Sequence, residues 1–223
     1  MSNTLIETKE YLRTGSHIGT KFKTVGMRKY IFKKRPDKLK VFDVSVIDEK
    51  ITVAAKFLSS FEPHEIVVVS KKQYGQKPAQ MFAEATGAKS VVGRFSPGTF
   101  TNPAFKSFLE PGIILATDPS ADNQAINEGT TARIPIIAMC STDNETKNID
   151  LIVPINNKGR QSLALVLWLL AREYLKNKGT IKSDAEFKYK LSDFEFVLEK
   201  GAREEGFSEF NEEERKPFNR ENR

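Results

Sequence analysis

The sequence predicts a doubly wound α/β sandwich, a five-stranded parallel sheet with helices on both faces. Three observations carry that reading. The runs Ile66–Val69, Ile113–Ala116 and Ile134–Met139 are apolar throughout instead of at alternate positions, as strands covered on both faces must be. Segments with apolar residues at three- and four-residue spacing alternate with them. A chain of 223 residues, 39% of them hydrophobic, is long enough to bury the core such a sandwich needs.

Asn3 or Thr4 is placed to cap a helix running to Arg13, with Gly15 as its stop. Residues 15–25 are rich in Gly and Thr and read as a loop. Arg28–Lys34 and Lys38–Asp43 are β-prone runs around Arg35-Pro36-Asp37, a turn cluster, and predict a hairpin. Ser45-x-x-Asp48 opens the next helix as a capping-box variant, and Ile47, Ile51, Ala54, Ala55, Leu58 and Phe61 give it an apolar face. The first sheet strand, Ile66–Val69, leads to a helix over Pro78–Thr86 that Gly87 stops, then to a short strand at Ser90–Val92. Pro97, Gly98 and Pro103 break up the connection to the third strand, with Asn102-Pro103 placed to cap a short helix. That strand is Ile113–Ala116. A helix over Pro119–Ala132 reaches the fourth, Ile134–Met139, and a polar loop the fifth, Leu151–Val153. The last helix, Gly159–Asn177, buries Leu163, Val166, Leu167 and Leu170 and ends at Gly179. The chain thus divides into a basic helix, loop and hairpin over 1–44, the α/β body over 45–179 and a charged extended tail over 180–223.

Composition removes several classes of function. Cys140 is the sole cysteine, so no intramolecular disulfide forms and a reducing, intracellular compartment is expected. Two histidines and one cysteine are too few for a structural zinc site. The longest apolar run, Leu163–Ala171, is nine residues, about half a membrane span, and the amino terminus lacks a secretory pattern. Neither a membrane nor export is expected.

The net charge of +6 is unevenly spread. Residues 1–40 carry eleven Lys and Arg against three acids, whereas residues 41–150 and 181–223 are each net −3. A basic arm on a near-neutral body points to a polyanion met by one face. The tail is dense in charge yet holds Phe187, Phe194, Phe196, Phe207, Phe210 and Phe218. It lacks an apolar period that would give it its own core, so its Phe residues read as anchors that order on a neighbouring protein. On that reading, truncation after Gly179 leaves the melting temperature nearly unchanged. The alternative is a tail that packs back on its own domain over 183–200.

Ligands of open α/β sheets bind outside the carboxyl ends of the strands. Those ends read Ser70-Lys71-Lys72-Gln73, Gly93-Arg94-Phe95, Thr117-Asp118-Pro119, Cys140-Ser141-Thr142-Asp143 and Pro154-Ile155-Asn156-Asn157. No Gly-x-Gly-x-x-Gly follows the first strand and no Gly-x-x-x-x-Gly-Lys-Ser/Thr exists, so the usual phosphate cradles are missing. Asp118 alone supplies too little carboxylate oxygen for a hard cation. Cys140, at the end of a buried strand, reads as a structural thiol, and His17 and His64 have no evident catalytic partner. Lys71, Lys72 and Arg94 suit phosphate. The sheet reads as a binding scaffold, with no cofactor and no metal.

Three motifs together resemble one family. They are Tyr11-Leu12-Arg13-Thr14-Gly15-Ser16-His17-Ile18-Gly19 with Met27-Arg28-Lys29-Tyr30-Ile31-Phe32 after it; Gly93-Arg94-Phe95-Ser96-Pro97-Gly98-Thr99-Phe100-Thr101-Asn102; and Pro111-Gly112-Ile113-Ile114-Leu115-Ala116-Thr117-Asp118-Pro119, continuing to Glu128 and Ile134-Pro135. In order and spacing, over roughly residues 1–180, the chain resembles the S-two family of small-subunit ribosomal proteins, called Sa or laminin-receptor precursor in eukaryotes. Bacterial members insert a coiled-coil arm after the central loop. Here Asn102 reaches Pro111 in eight residues, as in the archaeal and eukaryotic branch. The resemblance implies a flavodoxin-like (Rossmann-like) three-layer core and no enzymatic activity. It also implies a cytoplasmic place in the small ribosomal subunit, near the head–body junction on the solvent side. The implied partners are small-subunit ribosomal RNA and other small-subunit ribosomal proteins, with roles in assembly and translation initiation and no homo-oligomer. The competing class is a flavodoxin-like enzyme or small-molecule regulator with a basic docking arm.

An RNA-binding surface needs Lys and Arg, short polar side chains and free amides. Lys21, Lys23, Arg28, Lys29, Lys33, Lys34 and Arg35 supply the first surface, with Gly15, Ser16, Gly19 and Gly26 letting backbone approach RNA. His17 and Tyr30 either stack on an unpaired base or hydrogen-bond a phosphate, or else pack against the first helix and the sheet, respectively. Arg94, Thr99, Thr101 and Asn102 form a second surface, with Phe100 as core, and Lys71 and Lys72 a third.

Overall fold

The computed structural model describes residues 4–197. It opens with helix α1 (Thr8–Arg13), an antiparallel hairpin of β1 (Ile31–Lys34) and β2 (Lys40–Phe42), and helix α2 (Val44–Leu58). α1 is shorter than its sequence suggests and starts after Glu7, not at Asn3 or Thr4. The preceding segment is drawn onto the body instead: the Leu5 amide donates to Asp48 Oδ1 at 3.0 Å, and Arg172 donates to the Leu5 carbonyl at 2.9 Å. Asp48 is therefore not a capping residue. Its carboxylate is buried and also accepts the Tyr11 hydroxyl at 2.8 Å, while Asp43 caps α2 by accepting from the Ser45 amide.

Five parallel strands follow: β3 (Ile66–Ser70), β4 (Lys89–Val92), β5 (Ile113–Ala116), β6 (Ile136–Cys140) and β7 (Leu151–Pro154). Their order across the sheet is β4–β3–β5–β6–β7, the flavodoxin-like arrangement. β3, β5 and β6 are buried at every position, which is why they read as unbroken apolar runs. Helices α2, α3 (Gln73–Thr86) and α5 (Arg160–Asn177) pack together on one face. The other face carries α4 (Asn123–Thr131), close enough to β5 and β6 that a Cβ at Gly129 would meet Ile114 and Ile136.

Several boundaries moved for identifiable reasons. α3 begins five residues before Pro78, and the proline sits inside the helix, buried. α4 starts at Asn123 because Pro119–Asp122 is a turn, with Ser120 N bound to Asp118 Oδ1 and Asp122 N to the Asp118 carbonyl. β6 starts at Ile136, since Arg133 adopts a left-handed conformation (φ 59°) and Ile134 N still bonds Gly129 O. No helix follows Asn102-Pro103; the segment is a chain of turns closed by Leu109 N on Thr99 O at 2.8 Å.

The tail packs back. After Gly179 (φ 74°) the chain returns over α5 and α3, ending in the single turn α6 (Leu191–Phe194). Phe194 is 0% exposed, Phe187 meets the Trp168 ring edge-on at 5.8 Å, and Phe196 meets Tyr74. Trp168 Nε1 donates to the Tyr189 carbonyl at 2.9 Å. Phe187, Phe194 and Phe196 thus make contacts within the chain, and fully buried Phe194 has no surface left for a partner, while Phe207, Phe210 and Phe218 lie outside the described residues.

Candidate nucleic-acid interface

The amino-terminal segment lies across the carboxyl ends of the strands and is wired there. Thr20 N donates to Thr142 Oγ1 at 2.8 Å, Thr24 N to the Thr142 carbonyl at 2.9 Å, and Thr24 Oγ1 to the Asn144 carbonyl at 2.7 Å. Asn156 N donates to Ser16 O, and Asn156 Nδ2 to Gly15 O. Met27 and Tyr11 are fully buried. Residues 11–27 are therefore packed onto the body. Gly19 and Gly26 also serve the body: a Cβ at Gly19 would collide with Thr142, and one at Gly26 with Thr146. Close approach is needed there, but to the chain itself.

What this wiring leaves outside is basic. Lys21, Lys23, Arg28, Lys29, Lys33, Lys34 and Arg35 are all exposed, and Arg35 has only Asp37 nearby, at 3.5 Å. His17 and Tyr30 are half-buried. The His17 ring nitrogen lies 3.4 Å from the Tyr11 carbonyl, and Tyr30 packs partly against the core with Lys29 Nζ 5.0 Å over its ring.

The other two predicted surfaces fare differently. Arg94, Thr101 and Asn102 are exposed beyond β4. Thr99 is not available: it is 4% exposed and its hydroxyl donates to Ser96 O at 2.7 Å. The loop is held from behind by buried Glu128, whose carboxylate accepts from Gly98 N at 2.8 Å, Phe100 N at 3.0 Å and Gln124 Nε2 at 2.9 Å. Phe100 is core, edge-on to Phe95. Lys71 is exposed, but Lys72 is committed to an ion pair with buried Asp118. With strands ~4.8 Å apart, Arg94 at the end of β4 stands about 15 Å from the end of β6. The surfaces share one edge without merging.

Where the strand order reverses, between β3 and β5, the polar groups bond one another. Asp122 accepts from Lys71 N (2.7 Å), Thr117 Oγ1 (3.1 Å) and Asp118 N (3.0 Å), and the Thr117 and Ser70 hydroxyl oxygens lie within hydrogen-bond distance of each other at 2.9 Å. Donors that would meet a ligand in such a crevice are thereby paired. Cys140 is buried, and burial pushes its thiol up, as suits a structural residue. Among the described residues no group of His, Cys, Asp and Glu could hold a metal ion, and no helix is long and apolar enough to cross a membrane.

Burial raises the Asp122 carboxyl to about 6, outweighing the bonds from Lys71, Asp118 and Thr117 that lower it. The folded value lies above the unfolded 3.8, so this group's contribution to stability is full below about pH 4 and is lost as pH rises through about 6. The expected loss is on the order of 3 kcal/mol. Melting curves between pH 4 and 7.5 check it: the gap between native chain and Asp122→Asn should shift in the variant's favour as pH rises.

Comparison with known proteins agrees with this architecture. Residues 104–176, from the turns before β5 into α5, match the family described as ribosomal protein S2. The chain is 52% identical over 191 residues to small ribosomal subunit protein uS2 of Thermoplasma acidophilum, covering 86% of this chain and 96% of that protein. It is 54% identical over 182 residues to the protein of that name from Ignicoccus hospitalis, covering 81% and 86%. The chain belongs to the ribosomal protein S2 family.

In this chain, sequence reasoning missed Phe22, Val25 and Phe32, all exposed, and the supporting acids Glu128 and Asp122. Phe22 had a signal, the alternation Lys21-Phe22-Lys23 within a loop. Besides near neighbours, Glu128 and Asp122 hold Phe100, Gly98 and Lys71, 28 to 51 positions away, and such long-range bonds left no local signal.

Proposed function

We propose that this chain is a structural constituent of the small ribosomal subunit, not an enzyme, and that its loop and hairpin over residues 20–40 hold small-subunit ribosomal RNA. The observation that carries the reading is the row of exposed bases from Lys21 to Arg35 on backbone anchored to Thr142 and Asn144. The names of its relatives support the particle, and the paired groups at the β3/β5 crevice disfavour a small-molecule ligand. Arg94, Lys71, Thr101 and Asn102 extend the same edge as further RNA contacts. Neighbouring ribosomal proteins meet the tail through Phe207, Phe210 and Phe218, and the chain supports subunit assembly and initiation in the cytoplasm.

If about six bases contact phosphates, affinity for small-subunit ribosomal RNA falls roughly 10³-fold between 50 and 200 mM salt. Replacing Lys33, Lys34 and Arg35 together by Ala should weaken association and flatten the salt slope by about 2 to 3, with the melting curve unchanged. Wild-type retention of this variant on small subunits in high-salt gradients would count against the hairpin as the RNA contact.

A further inference from the structure

Phe22 is the largest side chain left uncovered in the anchored loop, 77% exposed, and its neighbour Val25 is 93% exposed. The loop that carries them is fixed. Thr20 and Thr24 bond the β6–β7 connection, Thr20 Oγ1 donates to the Phe22 carbonyl at 3.1 Å, Lys40 Nζ donates to the Lys21 carbonyl, and buried Met27 closes the far end. The fold thus holds a phenyl ring in water on a preorganised backbone.

Its surroundings narrow the partner. Lys21 and Lys23 flank it and Arg28 and Lys29 follow, all exposed, with Val25 the only other exposed apolar residue of the loop. An apolar protein patch laid here would strip water from several cations without replacing it. A nucleotide offers both requirements, a flat apolar face for the ring and a phosphate for the lysines. Phe32 differs: it rims a groove of about 370 Å³ lined by Leu12, Val41 and Phe42 together with polar Thr8, His17 and Asp43.

We propose that Phe22 is a stacking platform for an unpaired nucleotide, so that the RNA held by this loop presents a bulged or single-stranded base instead of duplex alone. The proposal rests on the RNA reading given above and adds to it a ligand class and a residue. His17 and Tyr30, the aromatic candidates of the sequence, are half-buried, whereas Phe22 stands clear of the body.

The test measures binding of the full chain to transcribed small-subunit ribosomal RNA. Phe22→Ala is expected to lose affinity roughly 10-fold with an unchanged salt slope, because stacking releases no counterions. Phe22→Tyr should restore binding and Phe22→Leu should not, since a base needs a π face. Melting curves should coincide for all three variants, the side chain being exposed. Full restoration by Leu, or wild-type binding by Phe22→Ala while the Lys33/Lys34/Arg35 variant is weakened, overturns stacking and leaves the RNA reading standing. Wild-type binding and salt slope in both variants overturn the two together.

Discussion

Ending the chain after Gly179 is expected to lower its melting temperature by roughly 10–20 °C, although the sequence alone argued for almost no change. The segment removed supplies core. Phe194 is fully buried among residues of α3 and α5, and burial of a phenyl group is worth about 3–5 kcal/mol by truncation to Ala. Trp168 would lose both the edge-on contact with Phe187 and the Tyr189 carbonyl that accepts from its indole. A donor left without a partner costs about 1–3 kcal/mol more where water does not reach it. Arg172 and Lys176 would each lose Asp184, a small term because that carboxylate is largely exposed. Against a domain stability of about 5–15 kcal/mol, these losses are a large fraction.

A chain ending at Val197 keeps every one of these contacts and is the proper reference. The single variant Phe194→Ala should reproduce about half of the truncation's effect, read as a shift in thermal midpoint. A truncated chain that melts with the Val197 form would show that the tail is an appendage after all.

The sheet was legible and the attachments were not, for a common reason. β5 is read to the residue because Ile113–Ala116 is apolar throughout and bounded by Pro111-Gly112 and Asp118-Pro119, so the signal is local. α1 and α4 were misplaced at their starts by bonds that reach far along the chain. Leu5 is held by Asp48 and by Arg172, 43 and 167 positions away, and Asp122 is turned toward the end of β3 and not toward its own helix. The tail was ambiguous because the alternation Phe187-Lys188-Tyr189-Lys190-Leu191 is short and set among charges, and Phe194, the fully buried residue, lies outside it. At the interface, the basic residues were visible as charge, but Lys72 differs from Lys71 solely by its buried partner Asp118. Exposure of Phe22 follows from which backbone groups the loop spends on Thr142, and no local pattern states that.

Replacing Glu128 by Ala is expected to cost about 3 kcal/mol and to loosen the loop over residues 96–102. Its two carboxylate oxygens divide the work: Oε1 accepts from Gly98 N and Gln124 Nε2, Oε2 from Phe100 N. Gly98 has φ 91°, a conformation that favours glycine, and its amide is aimed at α4 because the loop turns there. Ala would leave the Phe100 and Gly98 amides without an acceptor beneath a covered surface. Gln is a sharper probe, since it keeps the volume and one carbonyl oxygen but turns an NH₂ toward one of the two amides, so it should recover only part of the loss. Phe100 is packed edge-on against Phe95 and should stay in place, so the damage concentrates at Pro97–Thr99 and at the exposed neighbours Thr101 and Asn102. Hydrogen exchange separates the possibilities. Faster exchange at the Gly98 and Phe100 amides, with α3 and α5 unchanged, shows that Glu128 organises this loop; uniform acceleration across the sheet would make it an ordinary core residue.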